Sequence, residues 1–508
     1  MPTGTNLKQQ TVPLEALAEW LQPLLVQASL PQNRQLYRAL RELILQGRLQ
    51  GGQRLPSSRQ LATALQIARN TVLYAFEQLQ AEGYVLTRHG AGSYVAETLP
   101  DPSPQGEVTT PVENAAGGPY LSRRVQQVLG GMQMRGFMRE RTPAFWPGVP
   151  ELAQFPHLLW QRIWQRQQRQ MPRDWLGYTR AGGHQGLKQV LSDYLRLTRA
   201  LNCSPEQILI TSGTQQSLDL LARALADPGD VAWMEEPGYG GASAALTAAE
   251  LALCPVPVDN EGLCWERGDY PVPRLIYVTP SHQYPLGCVM SLSRRRSLLQ
   301  YAAQQQSWIL EDDYDSEFRY DGAPLAALQG LDRAQRVIYM GTLSKACYPG
   351  LRLAYLVLPP VLVEPLTRLQ ARLLREPDYV KQATLAEFIA EGHLASHIRR
   401  MRQLYAARQQ LLRDSIADGL EAEAALLGGQ GGLHVVCPLP VGSKERPLMQ
   451  QLQQRQVQTP PLGSFHLATP QQSGLVLGYA GVHENDIRRA GRILGQQLRV
   501  FTADPEQS

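Results

Sequence analysis

The chain has 508 residues, 43% of them hydrophobic and 19% charged, with a formal net charge of +4. That length exceeds one ordinary domain and supplies a large apolar core, which excludes a disordered, collagen-like or small disulfide-stapled chain. No run approaches the roughly 18 apolar residues of a membrane span, and the first residues lack the basic start and apolar core of a signal peptide, so a cytoplasmic protein with no membrane partner is expected.

Residues 1–33 read as an N-terminal arm with one amphipathic stretch, Leu14 to Leu25, interrupted by Pro23; its pattern assigns it no role. Residues 34–95 have a denser pattern. Apolar residues at helical spacing run from Arg34 to a glycine stop at Gly47. In Arg54-Leu55-Pro56-Ser57-Ser58-Arg59, either serine can cap a second helix reaching about Leu65. A third helix starts at Arg69, buries Val72, Ala75, Phe76 and Leu79, and ends at Gly83. Alternation then predicts a hairpin from Tyr84 to Val95 with a glycine-rich tip.

Three helices and a hairpin in this order predict a winged helix-turn-helix. The first turn of the third helix presents Arg69, Asn70 and Thr71, donor-rich types that reach base edges and phosphates. Arg54, Ser57, Ser58 and Arg59 before the second helix, and Arg88, His89 and Gly90 at the wing, complete the candidate DNA-binding set. A small helical subdomain with a hairpin is the plainer reading, but Arg34–Val95 holds eight arginines against three glutamates, a net +5 in a chain that totals +4. Phosphate binding needs such a concentration of positive charge, and double-stranded DNA is the expected partner. The segments Leu55 to Arg59, Arg69 to Val72 and Gly83-Tyr84 resemble the GntR superfamily.

Residues 96–119 are rich in Pro, Gly, Glu and Thr without apolar periodicity, and read as a linker. Its 24 residues of coil span roughly 25–30 Å, long enough for one chain's reader to lie on another chain's body.

Residues 120–500 carry a series of turns at strand ends. Ile208-Leu209-Ile210-Thr211 leads through Ser212-Gly213 to a helix start at Thr214-Gln215, whose N–H groups can bind phosphate; an ordinary capped helix fits the same pattern. Tyr239 follows a turn and can stack on a ring. Trp308-Ile309-Leu310 precedes Glu311-Asp312-Asp313-Tyr314, where a carboxylate can pair with a pyridine nitrogen and a phenol with a ring oxygen; an acidic solvated loop is the plainer alternative. Thirty-three residues after Asp312 comes Lys345, in Gly341-Thr342-Leu343-Ser344-Lys345, with Arg352 downstream. The lysine amine can form a Schiff base, while Thr342, Ser344 and Arg352 can hold a phosphate dianion, so the predicted cofactor is pyridoxal 5'-phosphate.

Ser212-Gly213-Thr214, Thr279 to Gly287, Asp312-x-Tyr314 and Thr342-x-Ser344-Lys345 in this order resemble the fold-type-I aminotransferases. The resemblance implies Lys345 as the Schiff-base lysine, Asp312 on the pyridine nitrogen, Tyr314 on the ring hydroxyl and Tyr239 stacked on the ring. It also implies a phosphate cup of Gly213, Thr214, Gln215, Thr342, Ser344 and Arg352. A GntR-like reader fused to such a body is similar to the MocR/GabR family of transcriptional regulators, which shares Phe145 to Gly148, Gly177-Tyr178 and Gly182-Gly183. The expected fold is therefore α/β: a winged helix-turn-helix, then a large domain with a mostly parallel sheet and a smaller C-terminal α+β part. The resemblance also implies a head-to-tail homodimer and a small-molecule effector, the cofactor itself or an amino compound. The other function considered is an aminotransferase with an accessory reader.

One departure separates these two. Amino-acid aminotransferases hold the substrate carboxylate with an arginine on a late strand, and Val476 in Gly474-Leu475-Val476-Leu477-Gly478 stands at that place. Gly241 stands where an amino-acid-sensing member of the family has another arginine. An ordinary α-amino acid is therefore a poor candidate effector. The six cysteines have no paired spacing and read as buried reduced thiols; the nine histidines are scattered, and no metal site is predicted. His282 and Gln283 fit either the ring face or a structural turn. The glutamine-rich patches at 161–170 and 450–458 read as exposed helix faces.

Overall fold

The computed structural model describes residues 11–25, 30–88, 91–98, 121–130, 144–178, 182–320, 325–423, 425–440 and 442–503. The chain divides into two compact units, Met1–Tyr120 and Leu121–Ser508.

The first unit contains helices α1 (Leu14–Leu21), α2 (Gln32–Leu45), α3 (Ser58–Leu65) and α4 (Arg69–Ala81), then strands β1 (Val85–Arg88) and β2 (Gly92–Val95). Ser57 caps α3 in a reciprocal arrangement: its Oγ accepts from Gln60 N at 3.3 Å, while Ser57 N donates to Gln60 Oε1 at 3.1 Å. Such a cap stabilises a helix by about 1 kcal/mol. Helix α4 stops at Gly83, whose φ of +82° favours a residue without a side chain. Tyr84 N then reaches Leu79 O at 2.8 Å and Gly83 N reaches Gln80 O at 3.1 Å, satisfying carbonyls the helix leaves open. The two strands pair antiparallel from Val85↔Val95 to Arg88↔Gly92.

The stretch from Leu14 is part of this core. Leu17 and Leu21 of α1 are fully buried in the same cluster as Leu36, Leu40, Leu61 and Val72. Val12 N also donates to Arg54 O at 3.0 Å. Packing continues past the hairpin, since Ala96 is buried and its N–H bonds Tyr84 O at 2.9 Å.

The second unit is built on an eight-stranded sheet. Its strands are β3 (Ile208–Thr211), β4 (Val231–Glu236), β5 (Ala252–Asp259), β6 (Gly262–Leu263), β7 (Leu275–Val278), β8 (Trp308–Asp313), β9 (Val337–Thr342) and β10 (Ala354–Val357), in the order β3-β10-β9-β8-β7-β4-β5-β6. β4, β5, β7, β8 and β9 run parallel, whereas β10 is antiparallel to both neighbours and β6 is antiparallel to β5. Apolar clusters cover both faces, Leu310, Tyr277 and Met340 on one and Ile309, Ile276 and Val337 on the other. Two covered faces explain why these strands read as nearly continuous apolar runs. The C-terminal part has strands β11 (His434–Leu439) and β12 (Ser473–Gly478), paired antiparallel, beside helices Glu445–Gln454 and Glu484–Ala503. A mostly parallel α/β body with a smaller α+β part is therefore present as expected.

The glutamine-rich patch at 161–170 lies on helix His157–Arg169, but the one at 450–458 is helical only to Gln454: residues 455–458 run past the end of helix Glu445–Gln454, and Val457 is buried. All six cysteines are free thiols, although Cys254 and Cys288 are only half-buried. Among the described residues no helix is long and apolar enough to cross a membrane.

Candidate functional site

In the reader unit, Arg69 and Asn70 are exposed on the first turn of α4, with Thr71 half-buried behind them. Arg69 Nε donates to Ser58 Oγ at 3.4 Å, which links the starts of α3 and α4 into one polar edge. Arg59 is exposed on the same first turn of α3. Ser57 is committed to the cap, and its hydroxyl also donates to Gln60 Oε1 at 2.8 Å. Arg54 is exposed and lies against the wing, since a Cβ at Gly92 would stand 3.1 Å from its Nε. The Arg88 guanidinium sits 4.9 Å from the Tyr94 ring centre. His89 and Gly90 lie outside the described residues.

In the second unit, the sheet brings distant segments to one edge. Ala354, at the start of antiparallel β10, pairs with Thr211 at the end of β3 and with Thr342 at the end of β9. The turn 212–215, the segment 343–345 and Arg352 therefore all emerge beside the carboxyl ends of strands, where open α/β sheets bind ligands. Asp312 and Tyr314, at the end of β8, and Tyr239, beyond β4, emerge at that edge too.

Asp312 is 4% exposed; its Oδ2 accepts from Tyr277 Oη at 2.7 Å, while Oδ1 has no partner. Burial pushes this carboxyl up to about 7, with Tyr277 opposing and Asp313 adding to the rise. Burial lowers the Lys345 amine, against the pull of Asp315 and Asp312, and its Nζ donates to Gly148 O at 2.5 Å. Thr342 Oγ1 donates to Ser344 Oγ at 3.2 Å. Gly213 has φ +130°, and a Cβ there would lie 3.2 Å from Cζ of Arg352. Only glycine combines that backbone with such close approach of a cation. Thr214 and Gln215 begin the helix Thr214–Leu225, whose first N–H groups carry partial positive charge. Gln215 Nε2 donates to Tyr239 Oη at 3.3 Å.

These contacts fit pyridoxal phosphate. The unused Oδ1 of Asp312 suits a ring N–H, the desolvated Lys345 amine suits an aldehyde, and the Gly213, Thr342, Ser344 and Arg352 groups suit a phosphate.

Tyr277, Arg199 and Tyr339 are not legible in sequence, whereas His282 and Gln283 are singled out there. Tyr277 reads as one more aromatic residue in a strand, and only the register beside β8 makes it the Asp312 partner. Arg199 pairs with Asp313 at 2.7 Å and with Ser281 Oγ at 2.6 Å, and Tyr339 Oη donates to Asp313 Oδ2 at 2.6 Å. His282 is buried, with Nδ1 3.1 Å from Asp315 Oδ2 and 2.9 Å from Tyr314 Oη. Gln283 is a turn residue: its Nε2 donates to Pro237 O and Tyr284 O, each at 2.8 Å.

Val476 is fully buried in an apolar cluster with Val436, Leu462 and Phe465, against which Tyr284 packs. A Cβ at Gly241 would stand 2.4 Å from Cζ of Tyr239, so a side chain there requires the tyrosine to move.

Comparison with known proteins follows the same division. Residues 32–95 match the family described as bacterial regulatory proteins of the gntR family, and residues 152–494 match aminotransferase class I and II. The chain is 42% identical to the probable rhizopine catabolism regulatory protein MocR of Rhizobium meliloti, over 91% of this chain and 92% of that protein. It is 30% identical to the HTH-type pyridoxine biosynthesis transcriptional regulator PdxR of Corynebacterium glutamicum, over 90% and 93% of the two chains. Among solved structures, α-aminoadipate aminotransferase LysN of Thermus thermophilus, complexed with N-(5'-phosphopyridoxyl)-L-leucine, superposes with a TM-score of 0.64 at 26% identity, covering 75% of this chain and 96% of that one.

Proposed function

Because the chain belongs to the MocR/GabR-type family of transcriptional regulators, we propose that its aminotransferase-like unit senses pyridoxal phosphate or an amino compound and thereby alters operator binding by its reader. The protein is a DNA-binding regulator with pyridoxal 5'-phosphate as cofactor. The observation that carries the reading is the presence, in one chain, of a helix-turn-helix unit and a sheet edge with a desolvated lysine beside a half-used buried carboxylate.

Lys345 would hold the cofactor covalently, Asp312 its pyridine nitrogen, Tyr314 its ring oxygen and Tyr239 its ring face. Gly213, Thr214, Gln215, Thr342, Ser344 and Arg352 would hold the phosphate. When bound, the group supplies an electron sink and an aldehyde carbon that exchanges between amines. A lowered Lys345 keeps more of its amine neutral and nucleophilic near pH 7. A ring cation at Oδ1 would draw Asp312 back to its charged form.

The cluster around Val476 supports the cofactor itself as the signal. A substrate carboxylate seated against Val476, Phe465 and Tyr284 would forgo roughly 1.5–3 kcal/mol of charged hydrogen bonding. Either signal must bind two states of the body with different affinity to change the readers' placement. The reading includes a cytoplasmic homodimer with head-to-tail bodies, the 96–119 linker joining each reader to its body, and DNA contacts from Arg54, Ser58, Arg59, Arg69, Asn70, Thr71 and Arg88.

The test is operator binding by cofactor-free protein, loaded protein and loaded protein with a panel of amino compounds. The cofactor-sensing reading expects the main change between the first two. Little change there, with a large response to one amino compound, overturns it, and steady turnover with a keto acid would return the chain to the enzymes.

A further inference from the structure

One histidine nitrogen faces two oxygens, and that decides where a proton can point. Asp315 Oδ2 is 3.1 Å from His282 Nδ1, and Tyr314 Oη is 2.9 Å from the same atom. A carboxylate has no hydrogen to give, so the contact with Asp315 is attractive only if Nδ1 carries one. With that hydrogen in place Nδ1 has no lone pair for the Tyr314 hydroxyl, whose oxygen can then only accept a share of the N–H. The phenol hydrogen is left to be given elsewhere.

We propose that His282 is a positioning residue for the cofactor's ring oxygen: its Nδ1–H, fixed by Asp315, bonds the Tyr314 oxygen and so directs the Tyr314 hydrogen into the cofactor site. The inference rests on the reading above, in which Tyr314 serves that ring oxygen.

The imidazole is held from both sides. Gly432 has φ +82°, and a Cβ there would stand 2.2 Å from the His282 Cε1; a Cβ at Gly287 would stand 3.2 Å from Nε2. Nε2 is buried without a partner, beside a small cavity that Gly287, Asp315, Arg319, Gln430 and Gly432 also line. Because Nδ1 keeps its hydrogen in both the neutral and the charged ring, the proton that titrates is the one on Nε2. The groups facing the ring are Asp315, Asp313 and Tyr314 from the segment ending β8, Arg319 after it, Arg199 across the cavity, and His434 on β11 with ring centres 5.4 Å apart. Burial pulls His282 down most strongly, and the charge and hydrogen bond of Asp315, with the Asp313 charge, together outweigh it, leaving the imidazole above its ordinary value. His434 is pushed down to about 3, chiefly by burial, so it adds no competing charge near neutral pH.

A phenol that accepts an N–H bond is a stronger donor through its own hydrogen. Losing His282 would leave more negative charge on the ring oxygen, and the Lys345 nitrogen joined to the cofactor would hold its proton to higher pH. The experiment is a pH titration of the visible band of full-length, cofactor-loaded protein. His282→Phe should bind that proton roughly threefold to tenfold more tightly, whereas His282→Asn, which keeps an N–H at the Nδ1 position, should stay within about twofold of the parent. A band whose midpoint is the same in His282→Phe as in the parent overturns the proposal. Nitrogen NMR of the unsubstituted, cofactor-free protein gives a second decision, which holds even where a variant does not fold. A hydrogen on Nδ1 is expected, and an Nε2–H ring with bare Nδ1 overturns it. Failure of the underlying reading looks different: Lys345→Ala would keep the visible band, while the NMR result still reports on His282.

Discussion

Tyr277 Oη lies 2.7 Å from Oδ2 of Asp312 and leaves Oδ1 of the same buried carboxylate without a partner. Parallel pairing of β7 and β8 sets Tyr277 opposite Leu310, so the phenol reaches forward along the strand to the acid two residues on. The contact fixes which oxygen stays available, and it makes Asp312 a group with a pH-dependent cost.

Burial raises Asp312 to about 7, above an unfolded value near 4. An acid whose folded value is raised contributes stability below its unfolded value, and that contribution is lost as pH rises through the folded value. Cofactor-free protein should therefore lose stability between about pH 4 and pH 7, and Asp312→Asn should flatten this decline by ~2–4 kcal/mol. Thermal melts of both proteins across that window check it. Glu235 and Glu311, also raised to about 7 by burial, keep some of the slope in the variant.

Lys345→Ala should abolish borohydride-trappable attachment of pyridoxal phosphate, because Lys345 is the lowered amine beside Asp312. Mass spectrometry of the reduced protein reads the site, and a label on another lysine would reassign it. Asp312→Ala should weaken retention of the cofactor without moving the attachment point.

Val476→Arg should destabilise the second unit by about 3–5 kcal/mol, since it places an unpaired charge among Val436, Leu462 and Phe465. Denaturant melts measure the loss. An unchanged midpoint together with newly acquired binding of α-amino acids would mean that the cluster opens to admit a carboxylate.

Arg69→Ala should cost about 1–3 kcal/mol of operator affinity if the side chain reads a guanine edge, with relaxed preference at one base pair. A phosphate contact would instead weaken all sequences alike and reduce the salt dependence. Binding to a set of operator variants at two salt concentrations separates the two outcomes.

Leu17→Ala should destabilise the reader unit by about 2–5 kcal/mol, because Leu17 is fully buried in its core. Melting of residues 1–98 or of the full chain, with operator affinity as a second measure, tests it. No change would mean that α1 is dispensable to the reader.

The sequence by itself determined what depends on local order and spacing. Helices α2 to α4 and the hairpin follow from apolar periodicity, the Ser57 cap and the Gly83 stop. The chemistry follows from residue types at strand ends, Asp312 after Trp308-Ile309-Leu310 and Lys345 after the strand-like run Arg336 to Met340. What only the tertiary structure decided depends on partners far away in the chain. Leu14 to Leu21 resembled a detached arm because the residues it packs on, Leu36 and Leu61, come later and from different helices. Tyr277 became the partner of Asp312 through strand register, and His282 met Asp315 and Tyr314 because its turn folds against the end of β8. Gly213 and Arg352, 139 residues apart, meet because antiparallel β10 begins where β3 and β9 end. Side-chain type and period are local quantities, whereas register, burial and the direction of a hydrogen bond belong to the packed sheet.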